Sequence, residues 1–184
     1  MKPRILAVDD EPAMLRLLER IITEKTSYRI ATTNNSLEVP ELLEQHEYDL
    51  IISDLKMPGM DGIDILKHVR ENNRREEVII MTAFGTLDSA TEALQMGVFH
   101  YITKPFKKEQ IIIAVERALE LQTIRRDARV AAEMFKAEPY EQARTMFERE
   151  YIRKLAERAD GDIQAMARRS GLPVELIKEA MQDA

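Results

Sequence analysis

The sequence predicts an α/β fold: a doubly wound parallel sheet of five strands, followed by a long helix and a small all-α unit. Three observations predict it. Between residue 5 and about residue 122, short apolar runs alternate five times with longer segments carrying apolar residues at helical spacing. That alternation is the mark of β-α units around a parallel sheet covered on both faces. Four of the five runs also end in unusual polar residues, the place where open α/β sheets hold ligands. Finally, residues 107–136 contain neither Pro nor Gly, and short helical segments separated by glycine follow Pro139.

The elements can be justified in order. Ile5-Leu6-Ala7-Val8 is a buried strand that runs into Asp9-Asp10-Glu11-Pro12. Pro12 suits the first turn of a helix, and Leu15, Leu18, Ile21 and Ile22 carry that helix over residues 12–25. Tyr28–Ala31 is an edge strand. Asn34-Asn35-Ser36 offers caps for a helix reaching about Gln45, with an irregular start because Pro40 removes an internal hydrogen bond. Asp49–Ser53 is the third strand. It feeds Asp54, and then Met57-Pro58-Gly59-Met60 turns the chain. Asp61-Gly62 opens a third helix with Ile63, Leu66 and Val69 on one face. Val78–Ala83 is the fourth strand, Leu87–Leu94 a weaker helix ended by Gly97, and Val98–Ile102 the fifth strand. The helix starting near Lys107 packs Ile112, Val115 and Leu119 on the sheet; its pattern then thins through Ile124, Ala128, Ala131 and Phe135.

Composition excludes several classes of function. There is no cysteine, so neither disulfides nor thiolate metal sites are available. No segment approaches the roughly 18 apolar residues of a membrane span, and the start lacks the pattern of a secretory signal. These features suit a cytoplasmic protein without a membrane partner. No glycine-rich loop with Lys-Ser or Lys-Thr occurs, so no nucleotide site of that kind is expected. The net charge of -6 is uneven. Residues 1–122 hold 15 basic and 21 acidic side chains, whereas residues 123–184 hold 12 of each. The acid excess therefore lies where a cation site would sit.

Asp54 alone is open to several readings: a salt-bridge partner, a helix cap, a metal ligand or a nucleophile. Its company narrows them. In a parallel sheet Asp9, Asp10, Asp54, Thr82 and Lys104 all fall at strand C-terminal ends and converge on one rim. Carboxylates there form a hard-oxygen site of the kind Mg2+ takes. Asp10 and Asp54 would bind directly, Asp9 through water, and the backbone carbonyl of Lys56 would add an oxygen. Asp54 can then act as a carboxylate nucleophile on phosphorus. Lys104 and the Thr82 hydroxyl would face the charge on the phosphoryl oxygens. Pro105 constrains the backbone beside Lys104, and a cis Lys104–Pro105 bond fits there.

Val8-Asp9-Asp10-Glu11-Pro12, Ser53-Asp54 with Met57-Pro58-Gly59-Met60-Asp61-Gly62, Met81-Thr82-Ala83, and Tyr101-Ile102-Thr103-Lys104-Pro105-Phe106 together resemble the receiver domain of two-component response regulators, over residues 3 to about 122. The resemblance implies a flavodoxin-like sheet of order 2-1-3-4-5. It also implies phosphorylation of Asp54 by a sensor histidine kinase, with Mg2+ as cofactor. Thr82, Ala83, Tyr101, Lys104 and Pro105 fall at phosphoryl-stabilising and switch positions, Thr82 and Tyr101 matching the switch pair. The protein itself is expected to be a phosphoacceptor rather than an enzyme.

The chain then divides into a receiver (1–122), a helical linker (123–139) and a small helical domain (140–184). In the last, Phe147-Glu148-Arg149-Glu150-Tyr151-Ile152 with Gly161-Asp162 and Ala165–Leu172 resembles the Fis-type helix-turn-helix of nitrogen-regulation response regulators. That resemblance implies a homodimer and DNA binding, with Arg168, Arg169 and Lys178 as contacts. The ATPase domain often found between the two parts is missing from the stretch that joins them here. The last helix also departs from the pattern. Val174, Glu175, Leu176 and Glu179 stand where polar and basic groups usually meet the groove, and DNA affinity rests largely on cations. A tail that only dimerises or docks another protein is therefore the alternative.

Overall fold

The computed structural model describes residues 2–83, 87–134 and 139–182. They fall into two compact units, Lys2–Arg125 and Arg126–Ala184. The first unit contains β1 (Arg4–Val8), α1 (Pro12–Lys25), β2 (Arg29–Thr33), a 3-10 turn (Ser36–Glu38), α2 (Val39–Gln45), β3 (Leu50–Asp54), α3 (Gly62–Glu71), β4 (Glu77–Thr82), α4 (Leu87–Gln95) and β5 (His100–Thr103). It also holds most of α5 (Lys108–Met134), which crosses into the second unit. The strands are all parallel, in the order β2-β1-β3-β4-β5.

Successive strand residues point to opposite faces, and in a doubly wound sheet both faces are buried. Ile5, Ala7, Ile52, Ile79 and Met81 pack with residues of α1 and α5. Leu6, Val8, Ile51, Val78 and Ile80 pack with residues of α2, α3 and α4 on the other side. Each of the Ile, Leu, Val and Met side chains among them, fully buried, contributes about 1.5–3 kcal/mol. Because both faces are filled, a one-residue register slip would exchange the two sets, so the relative heights of the strand ends are fixed.

Several local features follow from sequence. The irregular start of α2 is the 3-10 turn: Asn35 accepts a hydrogen bond from the Leu37 amide, and Pro40 sits in the first turn of the helix, where its missing N–H costs nothing. Asp61 and Asp64 form a reciprocal capping box at the start of α3. The fifth strand begins two residues later than its hydropathy predicts. Gly97 takes φ +74°, the Val98 amide donates to the Ala93 carbonyl, and Val98 is buried in the turn rather than in the sheet. In α5, Ile111, Ala114, Val115, Ala118 and Leu119 are buried, whereas Ile124 is 57% exposed. The expected end of this helix near residue 136 lies outside the described residues.

The second unit contains α6 (Tyr140–Arg158), α7 (Ile163–Ser170) and α8 (Val174–Gln182). Ile152, Leu155, Met166 and Ile177 form its buried centre, with Leu172 and Ala167 packed beside them. Asp162 caps α7 by accepting from the Gln164 and Ala165 amides. Gly171, at φ +72°, ends α7 in the left-handed conformation that glycine adopts without strain. The side chains of Leu176 and Glu179, which stand where groove contacts usually fall, lie outside the described residues.

Gly62 shows how tightly α3 approaches β3. A Cβ there would lie 2.5 Å from the Asp54 carbonyl oxygen. Alanine favours a helix over glycine by about 1 kcal/mol, yet backbone overpacking costs about 1–3 kcal/mol. Gly62→Ala should therefore lower the free energy of unfolding, measured by urea denaturation, despite its better helix propensity.

Candidate functional site

Sheet register builds the site. Val8 pairs with Ser53, so Asp9, just past β1, and Asp54, the last residue of β3, stand side by side. Both are buried, Asp9 completely and Asp54 to 7% exposure. Thr82 pairs with Thr103 across β4 and β5, and the Lys104 amide donates to the Thr82 carbonyl at 2.6 Å. The Lys104–Pro105 bond is cis.

The Lys104 ammonium donates to Asp9 Oδ2 at 2.8 Å and to Asp54 Oδ1 at 2.5 Å. These three residues are separated by 95 and 50 positions in sequence. The remaining carboxylate oxygens are also held: Asp54 Oδ2 accepts from the Lys56 amide at 2.8 Å, and Asp9 Oδ1 from the Glu11 amide at 2.9 Å. Burial pushes the Asp9 carboxyl above its ordinary 3.8; hydrogen bonds from Lys104 and the Glu11 amide offset part of this, and Asp54 adds repulsion. Burial also works against the Lys104 ammonium, but its hydrogen bonds to Asp54 and Asp9 prevail and hold its pKa above the usual lysine value.

Around this triad the other expected residues are distributed unevenly. Thr82 is buried at the end of β4, and Ala83 is exposed just beyond it. Tyr101 is half-buried, with its hydroxyl 3.2 Å from the Ser89 hydroxyl on α4. Asp10 and Lys56 are exposed at the rim. In the second unit Arg168, Arg169 and Lys178 are all exposed, and Arg169 also donates to the Arg158 carbonyl at the end of α6. Sequence reading takes Ser36 only as a cap; its hydroxyl in fact reaches across to the loop after Asp54.

Among the described residues, no three acidic or imidazole side chains lie close enough to enclose a metal ion. The donor set nonetheless suits a hard divalent cation. Asp9 and Asp54 repel one another and already share a single cationic group. Mg2+ needs only one or two carboxylates, its other positions going to water, carbonyl or phosphate oxygens. Chemically, the rim offers carboxylate oxygens beside a fixed positive charge.

The raised Asp9 pKa fixes the sign of a pH effect. Ionisation of Asp9 opposes folding; the penalty is absent below the ordinary value of 3.8 and grows as pH rises through the higher folded-state value. In metal-free buffer, Asp9→Asn should raise the melting temperature at pH 7. The gain should disappear below pH 3.8 when melting is followed across a pH series.

Comparison with known proteins gives a consistent result. Residues 5–116 match the response regulator receiver domain family. The DNA-binding transcriptional regulator NtrC of Escherichia coli K12 is 38% identical over 115 residues, 62% of this chain but 24% of that protein. Sporulation initiation phosphotransferase F of Bacillus subtilis 168 is 36% identical over 123 residues, 67% of this chain and 98% of that protein. The crystal structure of a response regulator receiver domain protein from Clostridium thermocellum superposes with a TM-score of 0.61 at 31% identity, covering 66% of this chain and 98% of that one. A parallel sheet of order 2-1-3-4-5, two buried acids bridged by a lysine, and these matches place the chain in the response regulator receiver family of two-component systems.

Proposed function

We propose that the chain is the phosphoryl-accepting regulator of a two-component phosphorelay, with Asp54 as acceptor and a phosphohistidine on a sensor histidine kinase as donor. One observation carries this reading: the Lys104 ammonium hydrogen-bonds both Asp9 and Asp54 at the rim of the sheet. An Asp54 carboxylate oxygen attacks phosphorus as the P–N bond breaks. The electron pair leaves with the imidazole, which takes a proton from solvent. Asp9, Asp10, Asp54 and the Lys56 carbonyl would hold Mg2+, which would neutralise charge on the phosphoryl oxygens. Lys104, the Thr82 hydroxyl and the Ala83 amide stabilise the same oxygens. The chain consumes one phosphoryl group per Asp54, so it acts as an acceptor rather than as an enzyme, apart from slow loss of its own phosphoryl group.

The switch follows from position. As the Thr82 hydroxyl is drawn toward the phosphoryl group, Tyr101 moves into the space it leaves. The Tyr101–Ser89 contact ties that motion to α4, so the exposed face of α4 and β5 repacks. The output is control of homodimerisation and of the second unit. There the long, short and final helices with a glycine turn follow the helix-turn-helix plan, and exposed Arg168 and Lys178 can meet phosphates. This supports a cytoplasmic transcription regulator of the nitrogen-regulation type with a Fis-type DNA-binding unit. A second reading has its own support: Arg169 is engaged with the Arg158 carbonyl, and Glu175 is exposed at the start of α8. In that reading the second unit is a dimerisation or protein-docking module. Neither reading involves a membrane or a bound nucleotide.

Treatment with acetyl phosphate and Mg2+ should place one acid-stable, base-labile phosphoryl group on the wild type, detected by intact-mass measurement. Asp54→Asn should take none; label on another residue would contradict the assignment. A gel-shift series over salt separates the two output readings. DNA binding predicts an affinity that falls linearly in log–log form, with a slope of about -0.9 per phosphate contact. Absence of binding by the phosphorylated protein at low salt leaves the docking reading.

A further inference from the structure

We propose that Ser36 is a positioning residue for phosphoryl uptake: its hydroxyl holds the loop between Asp54 and α3 at the height that aligns the Asp54 carboxylate and the Lys56 carbonyl. The inference rests on the phosphoacceptor reading and adds to it a residue from outside the strand-end motifs.

The Ser36 side chain is buried, with 2% exposure, at the start of the 3-10 turn after β2. Its hydroxyl donates to the Pro58 carbonyl at 2.7 Å and accepts from the Met60 amide at 3.0 Å. Its two bonds bracket Gly59 in the loop that follows Asp54. Gly59, between the two bonded residues, takes φ +88°, and a Cβ there would lie 2.9 Å from Leu37 Cγ and 3.0 Å from Ser36 Oγ. The loop therefore lies flat on the turn, and only glycine permits the approach.

This clamp bears on the chemistry because of where the loop begins. The Lys56 amide donates to Asp54 Oδ2, so displacement of the loop moves the carboxylate's hydrogen-bond partner and the adjoining carbonyl together. The same segment also reaches the other acid: the Asp9 amide donates to the Thr33 carbonyl at 3.3 Å, and the Thr33 hydroxyl accepts from the Asn35 amide. One short stretch, 33–36, thus ties down both acid-bearing strand ends. A serine placed only for local stability would bond within its own turn. Ser36 instead spends both hydrogen bonds on residues 22 and 24 positions away.

The test uses the full chain with Mg2+ and acetyl phosphate, and compares wild type with Ser36→Ala, Ser36→Thr and Gly59→Ala. Calorimetric Mg2+ titration is the first readout, Asp54 phosphorylation rate against Mg2+ concentration the second, and melting temperature in chelator the control for fold. Groups that orient metal-binding residues typically change metal affinity by about tenfold or more. Ser36→Ala should raise the Mg2+ dissociation constant about tenfold and shift the rate curve equally. Ser36→Thr, which keeps the hydroxyl, should return both toward wild type. Gly59→Ala keeps Ser36 intact but lifts the loop, so it should reproduce the alanine phenotype even where Ser36→Ala folds poorly. Unchanged Mg2+ affinity in Ser36→Ala or Gly59→Ala, with wild type phosphorylated on Asp54, overturns the role of Ser36 alone. A wild type that takes no phosphoryl group on Asp54 overturns the receiver reading and this inference with it.

Discussion

The contact on which the rest depends is the Lys104 ammonium lodged between the carboxylates of Asp9 and Asp54. Two buried carboxylates side by side are unstable without a cation, because desolvation and mutual repulsion both oppose ionisation. The fold sets this problem by making β1 and β3 neighbours in register, and it answers it by bringing the end of β5 across β4. The hydrophobic strands give no chemistry themselves. They fix strand heights to within one residue, and the polar groups at their ends inherit that accuracy.

An arrangement of this kind is suited to being rewritten by charge. The lysine offsets part of the acids' charge, and a transferred phosphoryl group would give it a new partner. The groups around it are linked to neighbouring elements. Thr82 is buried beneath the site, the Lys104 backbone is bonded to the Thr82 carbonyl, and Tyr101 touches Ser89 on α4. A small displacement at the rim therefore has a contiguous route into the packing between β5 and α4.

The first unit was legible because its signals are strong and mutually consistent. Strand runs such as Leu50–Ser53 are short, apolar and ended by turn residues, and the strand-end acids stand out against them. The irregular start of α2 was legible too, since Pro40 and the Asn35 cap each have local consequences. Other features depend on tertiary geometry that periodicity does not encode. Val98 looks like a strand residue but is buried in a turn set by the conformation of Gly97. Ser36 looks like a cap, and only the approach of the 56–60 loop shows what its hydroxyl holds. Arg169 looks like a free cation, but α6 ends within its reach. In the second unit a near-even charge balance and a modest core leave more to context, because its basic residues are shared between ion pairs, helix ends and solvent.

The most direct measurement is a crystal structure of the full chain with Mg2+ and beryllofluoride, a stable mimic of the phosphoryl group. The account predicts the fluoride complex joined to an Asp54 carboxylate oxygen, Lys104 Nζ within hydrogen-bond distance of a fluorine, and the metal held by Asp10, Asp54 and the Lys56 carbonyl, with Asp9 bonded to it through water. Beryllofluoride on another residue, or Lys104 turned to solvent while Asp54 carries the complex, would contradict it.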